Sequence, residues 1–180
     1  EMLLQGEMYD TILADYLVGS VDSFAPYYQT LVYPRLVQHL KPGGHLYVVG
    51  LEPIPESDEG GADIVCRVRK VQDACVLLMG QRPYREYPMT WTERQLEQAG
   101  LKIIDKHTVP HYYEHNDIMR RINSGRATLS KFPSEELAKE MGLLLDDLEH
   151  ESKEMTKAAE GGKLRLGFHY VIAAELPMEE

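Results

Sequence analysis

Apolar residues fall into short blocks along the chain, and the spacing of these blocks predicts alternating strands and helices. Residues 10–18 hold a compact apolar run bounded by turn-forming residues, a pattern typical of a strand that is covered on both faces. Segments 45–50, 101–105 and 164–176 are rich in β-branched and aromatic residues. They predict three further strands.

Helical spacing of apolar residues fills the gaps between these strands. It predicts helices over residues 26–40, 64–80 and 90–99, the first of them kinked or divided at Pro34. A mostly helical stretch over residues 117–160 precedes the last strand. This order of strands and helices predicts an α/β fold with a mainly parallel sheet.

Turn and capping residues mark the predicted ends of several elements. The glycines of Lys41–Gly44 are suited to ending the first helix, since glycine adopts left-handed conformations without strain. Thr90 and Glu93 have the spacing of a capping box for the third helix. Within 117–160, breaks are expected near Ser124-Gly125 and at Pro133-Ser134.

The helix that follows Ser134 combines a stripe of leucine and methionine with a strongly acidic opposite face. Such a pattern is typical of a solvated amphipathic helix whose apolar stripe packs on its own domain. A substrate lid or a dimer face would show the same stripe. The pattern leaves these alternatives open.

The composition narrows the range of partners. The chain has 180 residues and a formal net charge of −10, with 19 Lys and Arg against 29 Asp and Glu. This acidic balance disfavours nucleic acid and anionic membranes, which reward clustered basic residues. No apolar run reaches the roughly 18–20 residues that a membrane span needs. We therefore expect neither a nucleic-acid nor a membrane partner.

The two cysteines, Cys66 and Cys75, show no spacing typical of a disulfide framework or a metal site. Two cysteines without a disulfide pattern fit a protein in a reducing compartment, and the expected location is the cytoplasm. Because the chain begins at Glu1 rather than methionine, a targeting segment could precede it.

Four segments in this order resemble the second half of a class I (Rossmann-like) S-adenosylmethionine-dependent methyltransferase. They are YDTILAD at 9–15, LKPGGHLYVV at 40–49, WTERQLEQAGLKIID at 91–105 and GFHYVIAAEL at 167–176. The resemblance implies an α/β fold with a partial methyltransferase sheet, made of the family's strands four to seven. It also implies that the last strand runs antiparallel to the others.

The resemblance further implies how the chain is organised. Residues 1–180 would form one partial domain that lacks the amino-terminal cofactor-binding strands, with a helical insertion over 115–163. The family binds S-adenosylmethionine through a glycine-rich loop and an acidic residue on those strands. No GxGxG motif occurs here. We therefore expect a fragment that needs its missing amino-terminal half, or a partner chain, to bind the cofactor.

Asp15 and Tyr16 follow the first predicted strand, at the position where open α/β sheets place ligands. By the resemblance, Asp15 would contact the cofactor beside its methyl group or accept a proton from the nucleophile. Tyr16 is the second catalytic candidate. The alternative is that Asp15 only caps the following helix.

The loop over residues 81–89 lies where the family closes over its substrate. Tyr84 and Tyr87 would form an aromatic wall, and Arg85 would bind an anionic group of the substrate. A surface loop of mixed charge is the alternative.

The segment HYYEH places two histidines, His111 and His115, four residues apart. This spacing suits a metal pair on a helix, but no third ligand is evident and Pro110 indicates a loop. We therefore predict no metal site. His111, Tyr112 and Tyr113 are expected to edge the substrate cavity.

These features predict methyl transfer to a nitrogen, oxygen or carbon nucleophile of a small-molecule or protein substrate. Such transfer depends mainly on proximity and orientation, so the sequence does not identify the acceptor. An aminopropyltransferase similar to spermidine synthase is a second reading, since it shares the fold. A non-catalytic scaffold that keeps the fold is the third.

Overall fold

The computed structural model describes residues 6–178, and its internal contacts divide the chain into two compact units. The sheet unit contains the chain up to Pro53, residues Tyr84–Val109 and the segment from Phe168 onward. The helical unit contains Ile54–Pro83 and Pro110–Gly167. The predicted insertion over 115–163 stays a prediction.

The strands are β1 Tyr9–Asp15, β2 Leu40–Leu51, β3 Lys102–Glu114 and β4 Lys163–Glu175. They form one mixed sheet in the order β1-β2-β4-β3. β1 is parallel to β2, and β4 is antiparallel to β2. The predicted α/β class and the antiparallel last strand are confirmed, whereas the place of β4 between β2 and β3 had not been predicted.

Among residues 6–178, three helices confirm predicted elements: Asp63–Leu78 for 64–80, Met89–Gln98 for 90–99, and Glu135–Ala158 for the helix after Ser134. Ser134 caps α6 as predicted, because its Oγ accepts a hydrogen bond from Leu137 N at 3.3 Å. None of these helices is long and apolar enough to cross a lipid bilayer. The bounds are α1 Leu17–Phe24, α2 Val32–Val37, α3 Asp63–Leu78, α4 Met89–Gln98, α5 His115–Arg126 and α6 Glu135–Ala158, with short 3-10 helices at Gln29–Leu31, Leu129–Lys131 and Glu160–Gly162.

The helix predicted over residues 26–40 is divided as expected, into a 3-10 helix at Gln29–Leu31 and α2, and Pro34 lies in the first turn of α2, where a missing N–H costs no helical hydrogen bond. The break near Ser124-Gly125 is also confirmed, because α5 ends at Arg126. A Cβ on Gly125 would come within 3.4 Å of Cys75 Sγ and of a methyl group of Leu145, so this glycine allows close packing. The helix end predicted at Lys41–Gly44 is wrong, because these residues belong to β2, although Gly43 does take a positive φ of 75°.

The predicted capping box of Thr90 and Glu93 is also wrong. α4 begins at Met89, and no side chain of its own N-cap residue bonds to the helix. Instead, Glu52 Oε2 accepts a hydrogen bond from Met89 N at 2.9 Å. A carboxylate distant in sequence thus stabilises this helix end.

β3 extends past its predicted end at 105, through Pro110, to Glu114. Proline lacks the N–H that a central strand donates, so it is tolerated mainly in edge strands. β3 is the last strand in the sheet order, which explains why it accommodates Pro110. Residues 111–113 are therefore strand residues, and the predicted loop is wrong.

Among residues 6–178, one face of the sheet is largely buried within the sheet unit. Its most buried side chains on β1, β2 and β4 are at most 3% exposed: Ala14, Leu46, Val48, Ile172 and Ala174. On the other face, Leu13 is 64% exposed and its register partner Tyr47 is 38% exposed. The prediction that the first strand is covered on both faces is therefore wrong for the described residues.

The helical unit has a core of its own, formed mainly by α3, α5 and α6. Leu148 of the apolar stripe of α6 is buried, which confirms the predicted packing, whereas Leu144 is 42% exposed and its neighbour Leu145 is buried instead. The acidic face is partly neutralised, because Arg67 pairs with Glu151 and Arg126 pairs with residues of α6. The lid and dimer alternatives stay open.

Gly50 and Tyr170 face each other across β2 and β4, and we expect Gly50→Ala to destabilise the protein. A Cβ on Gly50 would lie 2.2 Å from Tyr170 Cζ. The ring is held in place because its hydroxyl donates to Tyr87 O at 3.0 Å and lies 3.0 Å from Thr92 Oγ1. Overpacking of this kind costs roughly 1–3 kcal/mol. Urea unfolding measures the loss.

Gly142→Ala on α6 is the matched control. Its Cβ would meet only a methyl carbon of Leu129 at 3.6 Å, an ordinary contact. Alanine is a better helix former than glycine by about 1 kcal/mol, so this variant should be at least as stable as the wild type. A Gly50→Ala protein with wild-type stability would contradict the close packing of Tyr170.

Candidate functional site

Tyr16 connects the carboxyl end of β1 to α1 in a left-handed conformation. Its φ and ψ are 47° and 27°, values that are uncommon for a residue with a bulky side chain. Tyr16 N donates to Val49 O at 3.0 Å, which holds the turn against β2. Such a conformation costs on the order of 1–3 kcal/mol and is typical of functional positions.

The Tyr16 side chain contacts His169 on β4. Its hydroxyl lies 2.7 Å from His169 Nδ1, and the two rings meet edge to face at 5.8 Å. His169 lies opposite Leu51, the last residue of β2. Because β4 is antiparallel, its first residues in the sheet unit lie at the carboxyl ends of β1 and β2.

Burial determines the protonation of this pair. It raises the pKa of Tyr16, and the charges of Asp15 and Glu86 raise it further. Burial also lowers the pKa of His169 from its ordinary 6.5. Near neutral pH, Tyr16 therefore keeps its proton and His169 is uncharged. In the tautomer that carries its proton on Nε2, His169 accepts the hydrogen bond of the Tyr16 hydroxyl at Nδ1.

Carboxylates form an acidic rim around the pair. Asp15 is exposed, and its side chain makes no hydrogen bond or ion pair within residues 6–178. No side chain caps the start of α1, so the alternative role of Asp15 as a helix cap finds no support. Burial raises the pKa of Tyr170, and the negative charges of Glu86 and Glu52 raise it further. This rim favours a cationic ligand.

The predicted substrate residues Tyr84, Arg85 and Tyr87 lie in the same unit as Asp15 and Tyr16. Arg85 N donates to Gly19 O on α1 at 3.1 Å, and Arg85 Nε lies 3.8 Å from Asp22 Oδ2. Tyr84 is half exposed, with its ring 6.1 Å from that of Phe24.

Tyr87 plays a different part in this loop. Its ring lies 4.4 Å from that of Trp91, and its carbonyl accepts the Tyr170 hydroxyl. The surrounding residues place it against the core of the sheet unit. Tyr84 and Arg85 are therefore the more accessible members of the predicted substrate set.

The cavity beneath these residues measures about 10 Å³. Tyr16, Gly19, Gly50, Glu86 and Tyr87 are among its lining residues. A volume of this size holds about one water molecule and cannot hold a nucleoside cofactor. The described residues thus form one rim of a site rather than an enclosed pocket.

The other predicted substrate residues belong to the helical unit. His111 stacks on Tyr113, with ring centroids 4.1 Å apart, and Tyr113 is 1% exposed. Tyr112 is half exposed, and His115 Nδ1 lies 3.2 Å from Ser152 Oγ. Among residues 6–178, no three His, Cys, Asp or Glu side chains come together as metal ligands.

His169, Glu86 and Glu52 were missed by sequence reasoning. His169 is 153 residues from Tyr16, and no local pattern connects the two. One signal was present. An antiparallel last strand begins at the end of the sheet where the parallel strands have their carboxyl ends. Polar residues at its start were therefore candidates for the site.

Comparison with solved structures identifies the fold. The chain is similar to a candidate methyltransferase from Bacillus halodurans C-125, with a TM-score of 0.54 and 14% identity over 99% of this chain and 68% of that one. It is also similar to a cyclopropane-fatty-acyl-phospholipid synthase-like protein from Lactobacillus casei, with a TM-score of 0.51 and 11% identity over 96% of this chain and 57% of that one. No protein-family model and no curated protein sequence matches. The chain thus has an α/β, methyltransferase-like Rossmann fold.

The lowered pKa of His169 predicts a pH dependence of stability. Below pH 6.5 the unfolded chain binds a proton at this histidine while the folded protein does not, so the free energy of unfolding falls as the pH falls toward the folded pKa. His169→Gln removes this contribution. Its stability should therefore decline less steeply between about pH 7 and about pH 5 in urea unfolding experiments.

His150→Gln is the control, since it replaces an exposed histidine on α6. This variant should keep the wild-type pH dependence. Equal slopes for His169→Gln and the wild type would contradict the burial of His169 in its neutral form.

Proposed function

We propose that the sheet unit belongs to an S-adenosylmethionine-dependent methyltransferase, with Asp15 and Tyr16 at its reaction centre. The Tyr16–His169 hydrogen bond beside Asp15 carries this proposal. The two side chains lie at the carboxyl ends of β1 and β2, where open α/β sheets bind ligands, and there they would act as an acid–base pair. The fold is in keeping with this class of enzyme.

The residues present fit one end of the co-substrate. S-adenosylmethionine, when bound, supplies an electrophilic methyl group on a positively charged sulfur. The acidic rim of Asp15 and Glu86 suits that charge. The 10 Å³ cavity has no room for the adenosine moiety. The chain's own residues would therefore contact only the methyl end.

Tyr16 and His169 would remove a proton from the nucleophile. The proton of an N–H or O–H group passes to the Tyr16 oxygen while the Tyr16 proton passes to His169 Nδ1. The 2.7 Å separation permits this second transfer. The lowered pKa of His169 means that the proton then passes readily to water. Asp15 would orient the reacting groups from the exposed side.

The remaining part of the cofactor site would come from strands outside the described residues. Within residues 6–178, β1 is an edge strand, and Leu13 and Tyr47 are exposed on the open face of the sheet. An apolar edge favours pairing with further strands. We therefore propose that this chain is the carboxyl-terminal part of the enzyme. An amino-terminal half or a partner chain would pair with β1 and complete the site.

Calorimetric titration with S-adenosylmethionine tests this proposal. The 180-residue chain alone should bind weakly or not at all, whereas the same chain extended by the upstream part of its reading frame should bind. Tight binding by the short chain would contradict the need for further strands. Absence of binding by either would favour a non-catalytic scaffold.

Two substitutions in the extended protein test the proposed centre. Tyr16→Phe removes the proton carrier and should lower kcat by roughly 10²–10⁴. Asp15→Asn should weaken binding or turnover by about tenfold, as expected for the loss of one nearby charge. Asp10→Asn is the matched control, because Asp10 lies at the other end of β1 and pairs with Lys41. Unchanged turnover in Tyr16→Phe and Asp15→Asn would refute the assignment.

The acidic rim also fits a second reaction, aminopropyl transfer to a cationic polyamine. The same extended protein, supplied with decarboxylated S-adenosylmethionine and putrescine, distinguishes the two. Formation of an aminopropylated product from these two compounds, without methyl transfer to any acceptor tested, would favour the aminopropyltransferase.

A further inference from the structure

The helical unit contains a second, larger pocket of about 280 Å³. Its size approaches that of a small-molecule site. Gln72 of α3, His111 and Tyr113 of β3, and three residues of α5 line it: Asp117, Arg120 and Arg121. All of these residues belong to the helical unit.

The charges that line this pocket do not balance. Asp117 pairs with Arg120 and also accepts a hydrogen bond from Glu114 N at 2.9 Å. Arg121 instead donates to the neutral Gln72 Oε1 at 3.2 Å. No carboxylate within residues 6–178 lies at ion-pair distance from Arg121. The pocket therefore carries one positive charge in excess.

Burial makes this excess charge costly. It lowers the pKa of Arg121, and the nearby charge of Arg69 lowers it further, while Tyr113 and Asp73 act in the opposite direction. Arg69 is itself paired with Asp73, which leaves that carboxylate largely compensated. A guanidinium that has lost water without gaining a carboxylate is stabilised by an anion.

Aromatic side chains line the pocket beside this charge. The Arg121 guanidinium lies 6.0 Å from the ring centroid of Tyr113, and His111 stacks on the same ring. The Tyr113 hydroxyl is buried without a hydrogen bond of normal geometry in the described part of the chain. Burial raises its pKa, and the charge of Arg121 partly offsets this rise. A cation beside an aromatic stack suits a compact anion with a flat or apolar body.

We propose that this pocket binds a small anion through the guanidinium of Arg121, with the His111–Tyr113 stack as an aromatic wall. The anionic group is a carboxylate or a phosphate, since both match the planar fork of arginine. The site is separate from the residues proposed for methyl transfer, and it stands or falls independently of them.

Calorimetric titration of the 180-residue protein with benzoate and with inorganic phosphate, at constant ionic strength, tests this site. Binding of at least one probe is expected. Arg121→Gln should weaken that binding about tenfold or more, the usual cost of losing a charged hydrogen-bond partner. Arg165→Gln, an equal change of charge at an exposed position on β4, should leave it unchanged.

A second variant separates the two anion sources and guards against misfolding. His111→Ala removes the aromatic wall and should reduce benzoate binding several-fold while sparing phosphate. Preferential binding of benzoate would assign the site to carboxylates, and preferential binding of phosphate to phosphate esters. If Arg121→Gln unfolds, the test becomes the loss of benzoate binding in His111→Ala.

Two results would overturn the proposal. One is the failure of the wild-type protein to bind either probe. The other is wild-type affinity for the bound probe in both Arg121→Gln and His111→Ala.

Discussion

The pairing of β4 with β2 is the constraint on which the sheet unit and its candidate site depend. It joins residues more than a hundred positions apart, from Leu51 opposite His169 to His45 opposite Glu175. Gly50 accommodates the ring of Tyr170 across this pair, and the Tyr170 hydroxyl in turn binds the start of the α4 region. The same antiparallel pairing brings His169 to the end of β1. Without it, the Tyr16 hydroxyl would lose its contact with His169 Nδ1.

Much of the fold could be predicted, because apolar periodicity reflects burial that each segment carries in its own residues. The strands β1 and β4 and the helices α3 and α6 were found in this way. The failures have nonlocal causes. Lys41–Gly44 joins β2 because β1 pairs with the residues on both sides of it and Leu176 exchanges backbone hydrogen bonds with Gly43 and Gly44. The start of α4 is capped by Glu52 from another segment. Pro110 continues a strand because that strand lies at the edge of the sheet.

The candidate site was only partly predictable for the same reason. Asp15 and Tyr16 follow from a rule about strand ends, which requires only the order of elements. Predicting His169 requires knowing which strand the last strand pairs with. Predicting Glu86 requires knowing that its loop folds over Gly19. His111 and Tyr113 were predicted as substrate residues of the same cavity. The structure instead combines them with Gln72 and Arg121 of the helical unit, because β3 continues beyond Pro110.

Two features of the described residues suit different kinds of partner. The open sheet face at Leu13 and Tyr47 is apolar and lies next to an edge strand, a combination that favours pairing with further polypeptide. The pocket at Arg121 carries an excess positive charge, and its volume of about 280 Å³ admits a small ion but no helix or strand. The residues that form the two features belong to different units, so each proposal can be tested without the other.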